Sequence, residues 1–170
     1  GGPIIDRLAK QGNPKAFKLP EGNISLPDGG YHPYDASFSG LKTAVLRLIE
    51  RLQADGVDPL PIADIAASFQ QAVVSALIKR VMHCAQDQNL SSIVLGGGVA
   101  ANSGLRSALT ETATASGINV HIPALRFCTD NAAMIACAAS DHFEQGHRSS
   151  LNLGVYSRLP LMQVSELYQP

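Results

Sequence analysis

The chain reads as an α/β lobe built in layers, with its strands paired in parallel. Three observations carry that expectation. A short apolar strand at 93–95 runs into Gly96-Gly-Gly98, a second short strand occupies 118–122, and helical patterns lie before, between and after them. Strands that alternate with helices in this way form a parallel sheet covered by the helices.

Taken in order, Ile4 to Lys10 places Ile5, Leu8 and Ala9 on one side of a short helix, ended by Gln11-Gly-Asn-Pro14. Ala16 to Leu19 is a candidate strand. Residues 20–33 are dense in Gly, Pro, Asn and Asp, which predicts turns and a hairpin returning as Ala36–Ser39. At Gly40 the period changes: Leu41, Val45, Leu48, Ile49 and Leu52 mark one face of a helix over 41–52, with Ser39 as its cap and Ala54 to Pro59 as its break. The longest helix spans Pro61 to Asn89 and turns Ile65, Phe69, Val73, Ala76, Leu77 and Val81 toward a core. Ile93-Val-Leu95 is wholly apolar, as expected of a strand covered on both faces. Ala101 to Ser116 is a helix closed by Gly117, Ile118 to Ile122 a strand ended by Pro123, and Asn131 to Gln145 an alanine-rich helix stopped at Gly146. Leu151 to Pro170 lacks periodicity and reads as a surface tail.

With 170 residues, 45% of them hydrophobic, the chain can bury one substantial core. Thirteen basic and fourteen acidic side chains leave a net charge of −1, so nothing global drives it onto nucleic acid or an anionic membrane. An RNA partner would need a local patch, for which Lys42, Lys79, Arg80 and Arg106 are the candidates. Cys84, Cys128 and Cys137 form no C-x-x-C pair and suit a reducing compartment, which predicts the cytoplasm. No apolar run approaches the ~20 residues that span a bilayer, so no membrane association is expected. The opening Gly1-Gly-Pro-Ile-Ile-Asp6 lacks the basic and apolar regions of a signal peptide and, starting without Met, reads as a cut within a longer protein.

The stretch Ser92 to Asn102 carries the strongest chemical signal. Glycines without a Cβ let a ligand come close to the main chain, and the first amides of the following helix carry partial positive charge, so a phosphate is the natural guest. A plain packing turn is the alternative. Both strand-to-helix turns, at Gly96–Asn102 and Cys128–Asn131, should open on the carboxyl edge of the sheet, where open α/β sheets bind ligands. There the amides after residue 95 and Asp130 are expected to face one crevice. Asp130 has two readings: Thr129 or Asp130 caps the last helix, or the carboxylate ligates a metal with help from elsewhere. The five histidines offer no pair three or four residues apart, and His142 and His147 read as structural or solvated groups near a helix C-terminus. No nucleophilic triad is visible, and no catalytic residue is assigned.

Five ordered motifs carry a resemblance to a known family: Gly1-Gly-Pro-Ile-Ile-Asp6, Ser37-Phe-Ser-Gly-Leu-Lys-Thr-Ala-Val45, Ala67-Ser-Phe-Gln70, Gly96-Gly-Gly-Val-Ala-Ala-Asn102-Ser-Gly-Leu-Arg106 and Cys128-Thr-Asp-Asn-Ala-Ala-Met-Ile-Ala136. Together they resemble the C-terminal half of TsaD, the tRNA adenosine threonylcarbamoyltransferase family, formerly called the glycoprotease family. The resemblance implies one lobe of the actin-like ATPase (ASKHA, ribonuclease H-like) architecture, with ligand held between lobes. Residues 1–34 would then be a remnant of the preceding lobe with irregular loops, 35–150 the C-terminal α/β lobe, and 151–170 a tail.

The implied reaction moves a threonylcarbamoyl group from threonylcarbamoyl-AMP to the exocyclic amine of the adenosine beside the anticodon. By position, Asn102 resembles an adenylate-binding residue, Gly2 and Asp6 match positions contacting the nucleoside part, and Gly97 and Gly98 would let the backbone close on the phosphate. Asp130 resembles the family's carboxylate ligand to one divalent metal, iron or zinc, whose other protein ligands are two histidines in an H-x-x-x-H helix. That helix is absent from this sequence, so the 170 residues alone are expected to be inactive. The implied partners are tRNA, a TsaB-like paralogue and a TsaE-like ATPase. The rival readings are a nucleotide- or partner-binding module and an ATPase of the actin-like superfamily.

Overall fold

The computed structural model describes residues 1–152, 154 and 156–160, and divides into two compact units, Gly1–Cys128 and the chain from Thr129 onward. In the first unit lie α1 (Gly2–Ala9), α2 (Ser39–Ala54), α3 (Ile62–Asp87), β1 (Ser92–Val94), α4 (Ser103–Ala115) and β2 (Asn119–His121). Short 3₁₀ turns occupy Gly98–Ala101 and Leu125–Phe127. The second unit contains α5 (Ala132–Glu144).

β1 and β2 pair in parallel with Ser92 opposite Asn119, Ile93 opposite Val120 and Val94 opposite His121. A parallel pair requires a crossover, which α4 supplies. The core beside the sheet joins Met82 and Ala85 of α3, Ile93 of β1, Leu109 and Ala113 of α4, and Ile118. Only Ile93 of β1 is buried; Val94 is 77% exposed. The strand expected to be covered on both faces is therefore covered on one, because α3 and α4 pack on the Ile93 side.

α1 packs on α3, and the bend between them is tight: a Cβ on Gly12 would overlap the Ala63 carbonyl at the start of α3. Asp64, in the first turn of α3, accepts the Asn13 amide at 2.7 Å. Ala16–Leu19 is not a strand. The buried Ser68 hydroxyl accepts the Phe17 amide at 3.1 Å and holds this segment along α3 as a loop. The expected hairpin is also shorter, with one antiparallel bridge, Ser25 to Tyr31, while Ala36–Ser39 stays irregular and Ser37 donates to the Gly22 carbonyl.

Two helix caps differ from expectation, and α1 and α4 begin at Gly2 and Ser103 rather than at Ile4 and Ala101. Phe38, without a side-chain bond, occupies the cap of α2, and Ser39 is already helical. Asn131 caps α5 by accepting the Met134 amide at 3.0 Å, so neither Thr129 nor Asp130 is the cap. Among the described residues no helix is long and apolar enough to cross a membrane. Of the expected tail, residues 153, 155 and 161–170 lie outside the described residues, and the rest contain no helix or strand.

Candidate functional site

The chain leaves β1 through Gly96 and Gly97 into the 3₁₀ turn and enters α4 at Asn102. Gly97 has φ +83°, a backbone state that favours glycine. A Cβ on Gly96, Gly97 or Gly98 would meet nothing within 4 Å, so this turn faces open space, while Ala100 beneath it is fully buried. The leading amides of a helical turn have no intrahelical partner and point at whatever approaches.

Asn102 closes the turn. Its side-chain oxygen accepts the Leu105 amide at 2.8 Å, and its Nδ2 donates to Gln70 Oε1 of α3 at 2.7 Å. Gln70 lies against Gly104, where an added Cβ would stand 2.7 Å from Gln70 Nε2 and the amide end would have to shift. One residue on, Ser103 reaches α1: its amide donates to Asp6 Oδ1 at 3.1 Å, and its hydroxyl lies 2.8 and 3.0 Å from the two carboxylate oxygens. Lys10 adds an ammonium 3.5 Å from Asp6 Oδ2. Burial pushes the Asp6 carboxyl upward, but the Ser103 hydroxyl and amide and the Lys10 charge outweigh it and hold the group below its ordinary value. Asp6 thus stays ionised at the positive end of α4. Gly2 lies four residues before Asp6 on the same face of α1.

A second latch crosses the carboxyl edge of the sheet. The Arg106 guanidinium donates to the Ala100 carbonyl at 3.0 Å and to the Pro123 carbonyl at 2.7 Å, and sits 3.6 Å from Cys128 Sγ. This ties the turn after β1 to the segment after β2. Beside Gln70, a surface recess of roughly 210 Å³ is lined by Ala9, Pro14, Ala67, Gln70, Gly104 and Ala108, among others. It is smaller than most enclosed ligand pockets.

In the second unit, Asp130 is exposed, two residues ahead of α5. Among the described residues no group of three or more His, Cys, Asp or Glu side chains could hold a metal ion. One carboxylate is too few ligands for a transition metal, so Asp130 would need ligands from elsewhere to hold one.

The matches to known proteins decide the family. The model of the TsaD family, tRNA N6-adenosine threonylcarbamoyltransferase, matches residues 1–137. This chain belongs to the TsaD family. It is 64% identical over 168 residues to the tRNA N6-adenosine threonylcarbamoyltransferase of Crocosphaera subtropica, covering 99% of this chain and 49% of that protein. The like-named protein of Picosynechococcus sp. is 65% identical over 170 residues, covering 100% of this chain and 48% of the relative. That of Trichormus variabilis is 64% identical over 169 residues, with 99% and 49% covered. The chain spans about half the length of these curated relatives.

Within this TsaD chain, Asp6 and Asn102 meet at the start of α4 through Ser103, with Gly97 and Gly98 in the turn just before it. Sequence reasoning gives no role to Gln70 or Ser103. Their signals are slight: Gln70 closes the Ala67–Gln70 motif, and Ser103 follows a capping asparagine. The expected basic patch fares differently. Arg106 is spent on carbonyls, Arg80 donates to the Asp35 and Ala76 carbonyls and to Asn23, and Lys79 pairs with Glu21. Of the four cations, Lys42 is an exposed group on α2.

Proposed function

We propose that this chain supplies one side of the substrate cleft of a tRNA threonylcarbamoyladenosine transferase, within the actin-like two-lobed architecture. The observation that carries this reading is the start of α4, where an open glycine turn, the Asn102 cap and an ionised Asp6 stand in sequence on one edge of the lobe. An anion of the adenylate type suits the turn, since its unshared amides can donate to phosphate oxygens. An ionised carboxylate only accepts, and beyond the Ser103 bonds Asp6 keeps lone pairs for ribose hydroxyls. Asn102 and Gly2 complete the substrate contacts.

In the reaction, the adenosine amine attacks the threonylcarbamoyl carbonyl and the AMP phosphate departs with the bonding pair. Residues of this chain would act by holding that phosphate and orienting the carbonyl, contributions that lower the barrier through positioning and fixed dipoles. Asp130 is proposed as one ligand of a divalent ion, iron or zinc, held mainly by residues outside this sequence. For that reason the chain by itself is expected to complete no transfer. The proposed partners are tRNA as acceptor, a TsaB-like paralogue and a TsaE-like ATPase.

Gly98→Ala tests the site without disturbing the fold, because the added methyl meets no protein atom within 4 Å. Titration with AMP should show saturable binding to the chain that weakens at least tenfold in the variant, with an unchanged melting temperature. Equal affinity in both would sink the assignment.

A further inference from the structure

The far end of α5 carries a second arrangement, independent of the substrate cleft. His147 donates its amide to the His142 carbonyl at 3.0 Å and Gly146 donates to the Phe143 carbonyl at 3.1 Å, with Gly146 at φ +82°. These are the two bonds of a Schellman motif, which presses the side chain just beyond the glycine against one in the last turn of the helix. An apolar pair commonly fills that contact. Here both positions are histidine. Their Nδ1 atoms stand 2.9 Å apart, with ring centroids at 5.2 Å and planes tilted by 40°. Both residues are half-buried and so within reach of solvent. A spacing of five does not align two side chains on a continuous helix. The chain reversal at Gly146 brings them together.

We propose that His142 and His147 form a two-imidazole chelate for a divalent transition metal of square or tetragonal preference, Ni²⁺ or Cu²⁺. Nitrogens bound at ~2.0 Å lie ~2.8 Å apart at adjacent corners of a square and ~3.3 Å apart at tetrahedral angles. The observed separation matches the square. Imidazole is a suitable ligand for both ions, and water fills the remaining corners. The backbone bonds of the motif fix the two rings before an ion arrives, so little freedom is lost on binding. Without the ion, one Nδ1–H donates to the other ring, and coordination requires that proton to leave the shared position. Asp130 takes no part in this site.

Ni²⁺ is the better probe, since the exposed Cys137 thiol would reduce Cu²⁺. Calorimetric titration of the chain with Ni²⁺ should show one site that weakens at least tenfold in His142→Gln and in His147→Gln, while Asp130→Ala leaves it unchanged. Melting without metal establishes that each variant folds, and Ni²⁺ should raise the melting temperature of the parent chain and of Asp130→Ala but of neither glutamine variant. Absence of saturable binding, or equal binding in the parent and both variants, would overturn the site and leave the pair as a shared-proton contact. Should either glutamine variant unfold, the electron paramagnetic resonance spectrum of Cu²⁺ added at one equivalent to the Cys137→Ser chain decides. Coupling to two nitrogens that vanishes on competition with excess Ni²⁺ supports the chelate, and coupling to fewer overturns it.

Discussion

The start of α4 and the helix α5 are both opened by an asparagine cap, yet they are held in opposite ways. At α4, the cap is one knot in a mesh that reaches Gln70 of α3, Asp6 of α1 and, through Arg106, the segment after β2. Those contacts cross as many as 97 residues of sequence. At α5 the bonds are local: Asn131 at one end, the Schellman turn at the other, and Arg148 folded 3.9 Å over the Phe143 ring. No residue of α5 is buried, and Met134, Ile135 and Phe143 are all exposed. A helix of 13 residues with no buried side chain is marginal in water on its own. The difference separates a region shaped by tertiary packing, fit to hold a ligand rigidly, from one shaped by its own caps.

Core substitutions should break that contrast most sharply. Leu109, 2% exposed in the α4 core, should cost about 2–5 kcal/mol when cut to alanine, whereas Ile135→Ala, at a 63% exposed position of α5, should stay within about 0.5 kcal/mol. Urea unfolding monitored by circular dichroism measures both, and similar losses would erase the distinction.

Next in size is the Asp6 junction, where Asp6→Ala removes charge-assisted bonds to Ser103 and should cost about 2 kcal/mol at neutral pH. The sign with pH follows from the lowered carboxyl: the contribution is full above the unfolded value near 3.8 and is lost as pH falls through the lower folded value. Stability of the parent chain should therefore decline in that acid window by more than that of Asp6→Asn. Parallel acid profiles would show that the carboxylate adds nothing.

The caps give the smallest effect. Asn131→Ala should cost about 1 kcal/mol, and Asn102→Ala somewhat more, since it also strands Gln70 Oε1. Equal costs would mean that the Gln70 bond is idle.

Much of this is legible in the sequence, for identifiable reasons. Helices α2 and α3 announce themselves by apolar period, α4 and α5 by the glycines past their ends, and the parallel pairing by strand and helix alternation. The loop 13–17 reads as partly strand because its partner, Ser68, lies 51 residues away from Phe17 and no local pattern encodes that bond. β1 looks double-sided because an apolar run records propensity, not which face a helix will cover. At the site, resemblance names Asp6 and Asn102, but their meeting depends on Ser103, a common residue with no chemical signature. Arg80 and Arg106 read as surface cations because composition does not show carbonyls waiting for a guanidinium. The histidine pair escapes notice since its spacing acquires meaning only through a left-handed glycine.

The central claim, that the open turn before α4 receives the adenylate, is tested most directly by following backbone amide resonances while AMP is added. Shifts concentrated on Gly97, Gly98 and Val99, saturating together and absent from α2, are the expected result. Shifts that spared these three amides, or gathered elsewhere in the first unit, would contradict it.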